Sequence, residues 1–173
     1  MKGEMSTREA WTKTYNTNVV GTYLLTQTLV PLLLKSPQTT RIIFITSGQA
    51  SLTEMAERRS PGWNAPSPGW PKNDRVHAIA AYRASKVGMN MMFLEWVRLL
   101  ANDPVKVFNV SPGFLATGLS GIGADVMKKA GAGDPAIGGN TVRLIVEGKT
   151  DESAGKLVDG RQGHDPQADI QPW

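Results

Sequence analysis

The chain has 173 residues, one ordinary domain by length, and folding at that size buries about 70% of the surface that the open chain exposes. With 40% apolar and 20% charged residues it is no disordered chain, and with no cysteine and only His77 and His164, far apart, it offers neither a disulfide frame nor a sulfur- or histidine-built metal site. The net charge of +4 is spread over basic residues standing in ones and twos, such as Arg58-Arg59 and Lys128-Lys129, which argues against a nucleic-acid-binding face.

The most apolar stretch, 19–34, is interrupted by Thr22, Thr26, Gln27, Thr28 and Pro31, so it is too short and too polar to span a bilayer. The first residues are polar and carry acids, unlike a secretory signal or transit peptide. A cytoplasmic protein without a membrane partner is the expectation.

Ser6 and Glu9 have the spacing of a capping box, and Trp11, Tyr15, Val19, Thr22-Tyr23 and Thr26 recur behind them at helical intervals. One long helix over about 7–35 is expected. The run 41–46 is continuous, apolar and rich in β-branched residues, which predicts a strand buried on both faces of a parallel sheet. Between about 50 and 77, Pro61, Pro66, Pro68 and Pro71 with Trp63 and Trp70 predict a long irregular loop. A second long helix is expected over 78–101, stopped at Asn102-Asp103-Pro104, and a strand over 105–110 ended by Ser111-Pro112-Gly113. Asp134-Pro135 opens a third helix to about residue 147, and 156–159 forms a weak last strand. Alternating helices and strands predict an α/β fold around a parallel sheet. Three strands are few for such a sheet, and the chain reads as part of a domain.

Tyr82-Arg-Ala-Ser-Lys86 sets a phenol and an ammonium four apart on one helix face. An adjacent cation favours the phenolate, as a tyrosine general acid or base requires; the same spacing also fits a packed ring beside a solvated lysine. Ser47 follows the carboxyl end of a strand, where open α/β sheets bind ligands, and its hydroxyl suits a substrate carbonyl oxygen or simply a turn. Pro112-Gly113 follows another strand end, with Thr117 just beyond, and would either let the backbone approach a flat ligand or form a plain turn.

Together these residues resemble the short-chain dehydrogenase/reductase family, and its carbonyl-reductase-like members most. The resemblance is carried by Asn18 in Asn-Val-Val-Gly, Ser47 after Ile-Ile-Phe-Ile-Thr, Tyr82-Arg-Ala-Ser-Lys86 and Ser-Pro-Gly-Phe-Leu-Ala-Thr117, in the family's order. It implies an oxidoreductase that moves a hydride between NAD(P), NADP slightly favoured, and a small carbonyl or alcohol substrate. Tyr82 would be the proton donor and acceptor, Lys86 would lower its pKa and hold the nicotinamide ribose, Ser47 would orient the carbonyl, and Asn18 would hold a water of the proton relay. Pro112, Gly113 and Thr117 would contact the nicotinamide end.

The interval from Ser47 to Tyr82 is longer than the family's common spacing, and Trp63 and Trp70 within it could wall the substrate. The family's Gly-rich turn for the cofactor pyrophosphate has no counterpart here: Gly121-Ile-Gly123 and Gly131-Ala-Gly133 follow no predicted strand and lack the third glycine. The expectation is therefore the C-terminal part of a Rossmann-type doubly wound parallel sheet, with about three strands and three main helices. Such a chain would hold the nicotinamide and substrate half without the adenosine half, beginning past the family's fourth strand. A rival expectation is a non-catalytic remnant acting through protein association, since the two long helices resemble those that pair subunits in this family.

Overall fold

Helix α1 (Thr7–Tyr15) begins where Ser6 and Glu9 satisfy each other. In the computed structural model, which describes residues 5–60, 63–72, 74–160 and 170–173, the Ser6 hydroxyl accepts from the Glu9 N–H at 3.3 Å and the Glu9 carboxylate accepts from the Ser6 N–H at 2.9 Å. Pro61 of the expected loop and His164 lie outside the described residues.

The single helix expected over 7–35 is divided. A π-helical turn, Asn16–Gly21, separates α1 from α2 (Thr22–Leu33). Such a turn fits one extra residue into the helix and rotates the side chains that follow. Here helix α4 (Asp74–Leu99) approaches closely, because Gly88 lacks a side chain: a Cβ there would stand 2.6 Å from Tyr15 Oη and 3.2 Å from Val19 Cγ2.

Strands β1 (Thr40–Ile45), β2 (Val105–Ser111) and β3 (Leu157–Asp159) form a parallel sheet in the order β1-β2-β3. Side chains of β2 alternate between two layers, as the period of a strand dictates. Val105 and Val107 join Phe44 against Met89, Met92, Phe93 and Trp96 of α4, while Phe108 and Val110 join Val158 under Ile145 of α6 (Pro135–Val146). Phe93, Phe108 and Ile145 are fully buried, each contributing about 1.5–3 kcal/mol of transfer free energy. Helices on both faces make the sheet doubly wound, as expected from the sequence.

Four local features differ from the sequence reading. β1 is not buried on both faces: only Phe44 is buried, Ile45 is 42% exposed, and among the described residues no strand pairs with its outer edge. The stretch expected as loop holds a short helix α3 (Leu52–Ala56), started by the Ser51 hydroxyl accepting from the Glu54 N–H, and its prolines come only after that helix. Helix α4 begins at Asp74, ahead of the expected residue 78, and a further short helix α5 (Ala124–Lys129) precedes α6. Among the described residues no helix is long and apolar enough to cross a membrane.

At the end of the sheet where the strands begin, Asp151 receives Arg41 Nη2 at 2.8 Å and Lys106 Nζ at 2.7 Å, joining β1, β2 and the turn before β3. Burial alone would raise the Asp151 carboxyl, but hydrogen bonds from Lys106 and Arg41 outweigh it and hold the carboxyl below the ordinary aspartate value. A depressed aspartate stabilises the fold above its unfolded pKa, and that gain fades as the pH falls through the folded value. Asp151→Asn is therefore expected to cost about 1–2 kcal/mol at neutral pH, discounted for the partly exposed carboxylate. Urea denaturation should show the gap closing below about pH 4; a gap unchanged down to acid pH would contradict this account of the cluster.

Candidate active site

The parallel register sets Ile45 beside Val110 and passes the Thr46 N–H to the Val110 carbonyl at 2.8 Å. Ser47 and Pro112 therefore leave the carboxyl ends of neighbouring strands side by side, the usual ligand edge of an open α/β sheet. Helix α4 lies across this edge, and Lys86 Nζ donates to the Ile45 carbonyl at 2.6 Å. One turn further along α4, Oδ1 of the buried Asn90 accepts from Thr46 Oγ1 at 2.6 Å and from Asn109 Nδ2 at 3.0 Å, pinning the helix to both strands.

The Lys86 ammonium stands 5.9 Å from the centre of the Tyr82 ring, within range of cation–π attraction. Burial pushes its pKa below the ordinary lysine value. Tyr82 and Lys86 are both half-buried. The structure thus brings the two residues together, with the ammonium held by main chain and ring.

Ser47 caps a short 3₁₀ turn, Gly48–Ala50, by accepting the Gln49 N–H at 3.2 Å. That bond uses one lone pair of the hydroxyl and leaves its O–H free to donate. Asn18, on the π-turn, donates through Nδ2 to Ser85 Oγ at 2.9 Å, and Ser85 donates to the Tyr82 carbonyl at 2.8 Å. Asn18 is therefore brought against the residue preceding Lys86.

At the other side of the edge, Gly113 has φ +94°, a conformation that favours glycine. The backbone beyond it pairs with Gly133: Gly133 N–H donates to the Phe114 carbonyl at 2.8 Å and Ala116 N–H to the Gly133 carbonyl at 2.9 Å. Thr117 caps the next 3₁₀ turn, its Oγ1 accepting from the Leu119 N–H. Trp63 sits under the Arg58 guanidinium, 5.4 Å from the ring centre, and Trp70 is largely exposed. Sequence reasoning missed Gln49 and Arg83, whose side chains meet at 2.8 and 2.6 Å and tie the Ser47 turn to the residue after Tyr82. No motif signals a pair so distant in sequence.

No family model matches the chain. It is 46% identical over 99% of its length to the short-chain dehydrogenase/reductase eupG of a Phoma species, and 44% identical over 90% of its length to the short-chain dehydrogenase/reductase tropE of Talaromyces stipitatus. The chain is thus similar over most of its length to proteins of the short-chain dehydrogenase/reductase family. It spans 61% and 58% of the lengths of those two relatives. Its fold is similar to that of an NADPH-bound carbonyl reductase from chicken fatty liver, with TM-score 0.66 and 17% identity over 95% of this chain and 57% of that one. It is likewise similar to a carbonyl reductase from Pseudomonas aeruginosa in complex with NADP, with TM-score 0.54 and 16% identity over 100% of this chain and 58% of that one.

The turn at Pro112 is held by two glycines. A Cβ on Gly138 of α6 would lie 2.9 Å from Pro112 Cβ, and one on Gly160 would lie 3.1 Å from Pro112 Cα. Alanine in place of a helical glycine ordinarily stabilises by about 1 kcal/mol. Gly138→Ala is expected to do the reverse, losing about 1–2 kcal/mol, because the proline ring is rigid and overpacking displaces it. Thermal denaturation checks this; a raised melting temperature would show that the turn yields freely.

Proposed function

We propose that the protein containing this chain is a nicotinamide-dependent oxidoreductase of small carbonyl or alcohol substrates, using NADP in preference to NAD. The observation that carries this reading is the arrangement at one sheet edge: Tyr82 and the desolvated Lys86 on α4, tied to the Ile45 carbonyl, beside Ser47 and the left-handed turn at Gly113. The NADPH-bound and NADP-bound carbonyl reductases of similar fold support the cofactor class.

Residues 1–173 are read as the nicotinamide and substrate half of the domain. The donor set at the edge suits the nicotinamide end: a half-buried ammonium for ribose hydroxyls, a glycine that admits a flat ring, and the Thr117 hydroxyl. Nothing in the sequence supplies a Gly-rich turn for the pyrophosphate. When bound, the nicotinamide would supply or accept the hydride. Ser47 donates its free O–H to the substrate oxygen as charge develops there, and Tyr82 gives that oxygen its proton or takes one back. Lys86 would hold the ribose hydroxyls, and Asn18 holds the relay beyond it. Trp63 and Trp70 form the apolar wall toward the substrate, and a cytoplasmic location completes the reading.

Association through the long helices remains a second reading, supported by Leu24, Leu25, Leu29 and Leu32, all exposed on α2. Sedimentation of the full-length protein distinguishes a homo-oligomer from a monomer.

Tyr82→Phe in the full-length protein is expected to lower kcat by about 10²–10⁴-fold, because it deletes only the transferable proton. Calorimetry should show NADPH binding nearly unchanged. Turnover at the wild-type level would overturn the assignment of Tyr82.

A further inference from the structure

Residues 170–173 return to the ligand edge of the sheet and grip the Ser47 turn from two sides. Ile170 bridges to Val158 of β3, and the Gln171 N–H donates to the Leu157 carbonyl at 3.0 Å. The Gln171 side chain is 2% exposed, yet its Oε1 and Nε2 have no hydrogen-bond partner among the described residues. Both Gln171 Oε1 and the buried Ser111 Oγ lie 3.6 Å from where a Cβ on Gly48 would be, so this amide stands as a wall directly behind the residue after Ser47. A buried amide without a partner lowers stability, which argues that position 171 is not occupied for the sake of folding alone.

On the other side, the Trp173 carbonyl accepts from the Thr53 N–H at 2.7 Å and from Ser51 Oγ at 3.2 Å. These bonds hold the start of α3, immediately after the Ser47 turn. The Trp173 ring is anchored 6.0 Å from Phe93, which itself meets Phe44 of β1 edge-on at 6.3 Å. The tail therefore joins the core of α4 and β1 to the two ends of a turn whose own hydrogen bonds, Ala50 N–H to Ser47 carbonyl and Ser51 N–H to Gly48 carbonyl, do not involve it.

We propose that Gln171 and Trp173 are positioning residues that fix the Ser47 hydroxyl for the substrate. The inference rests on the role read for Ser47 above. A hydroxyl placed by a short turn loses its aim when the turn rocks, and small displacements of a reacting geometry cost rate without costing binding.

Amide hydrogen exchange on the full-length protein tests the mechanical half. Trp173→Ala is expected to speed exchange at Ala50 and Ser51 by about tenfold or more, leave Phe108 and Val110 of β2 unchanged, and be rescued by Trp173→Phe. If Trp173→Ala does not fold, Gln171→Ala reads the same amides. Unchanged exchange at Ala50 and Ser51, or equal acceleration in β2, overturns the proposal. Steady-state kinetics tests the catalytic half through a double-mutant cycle. The tail variant should lower kcat about tenfold at unchanged NADPH affinity, and should cost nothing further in a Ser47→Ala background. Equal losses in both backgrounds overturn the positioning role and leave Ser47 its own. Wild-type turnover in Ser47→Ala alone instead removes the reading of Ser47, while the exchange result still decides whether the tail holds the turn.

Discussion

The site depends on the Lys86 ammonium reaching across from α4 to the Ile45 carbonyl at the carboxyl end of β1. A lysine that donates to main chain at this depth loses hydration, and the neighbouring Tyr82 ring and Ile45 carbonyl replace only part of it. The same contact fixes how far the helix can slide along the sheet, so it sets the distance between the phenol on α4 and the serine that follows β1. Asn90, bonded to Thr46 and Asn109 one turn along, repeats the constraint inside the core. Together the two contacts make helix and strand end one rigid element, on which a reaction geometry can be held.

The two ends of the sheet do different work. Where the strands begin, Asp151 gathers Arg41 and Lys106 into a charged clamp. Where they finish, Lys86 meets the Ile45 carbonyl and Arg83 meets Gln49, and glycines at 138 and 160 let chains approach closely. The exposed outer edge of β1 and the apolar face of α2 fit a chain that spans about three fifths of its relatives' length.

Much of this was legible in the sequence because it is local. The apolar run ending at Ser47, the strand ending at Pro112 and the helix bearing Tyr82 and Lys86 each announce themselves by period, breaker or spacing. The features that were not legible depend on contacts between distant residues. The π-turn at Asn16–Gly21 forms where Gly88 of another helix admits Tyr15 and Val19, and no periodicity within 7–35 encodes that. The half-exposed β1 reflects an outer edge that no strand among the described residues pairs with, rather than its own composition. Gln49 with Arg83, and Gln171 with Gly48, are likewise pairings that only the folded chain creates. The parts of the site that are motifs could be read early, and the parts that hold those motifs still could not.

The central claim is that residues 1–173 carry the nicotinamide end of the site at the carboxyl edge of β1 and β2. Its most direct test is a two-dimensional NMR titration of this chain with reduced nicotinamide mononucleotide, which lacks the adenosine half. The expected result is saturable shifts in the roughly millimolar range, as suits a small ligand without its phosphate-binding turn, at Ser47, Tyr82, Lys86, Gly113 and Thr117. Shifts absent from these residues, or confined to α1 and α2, would contradict it.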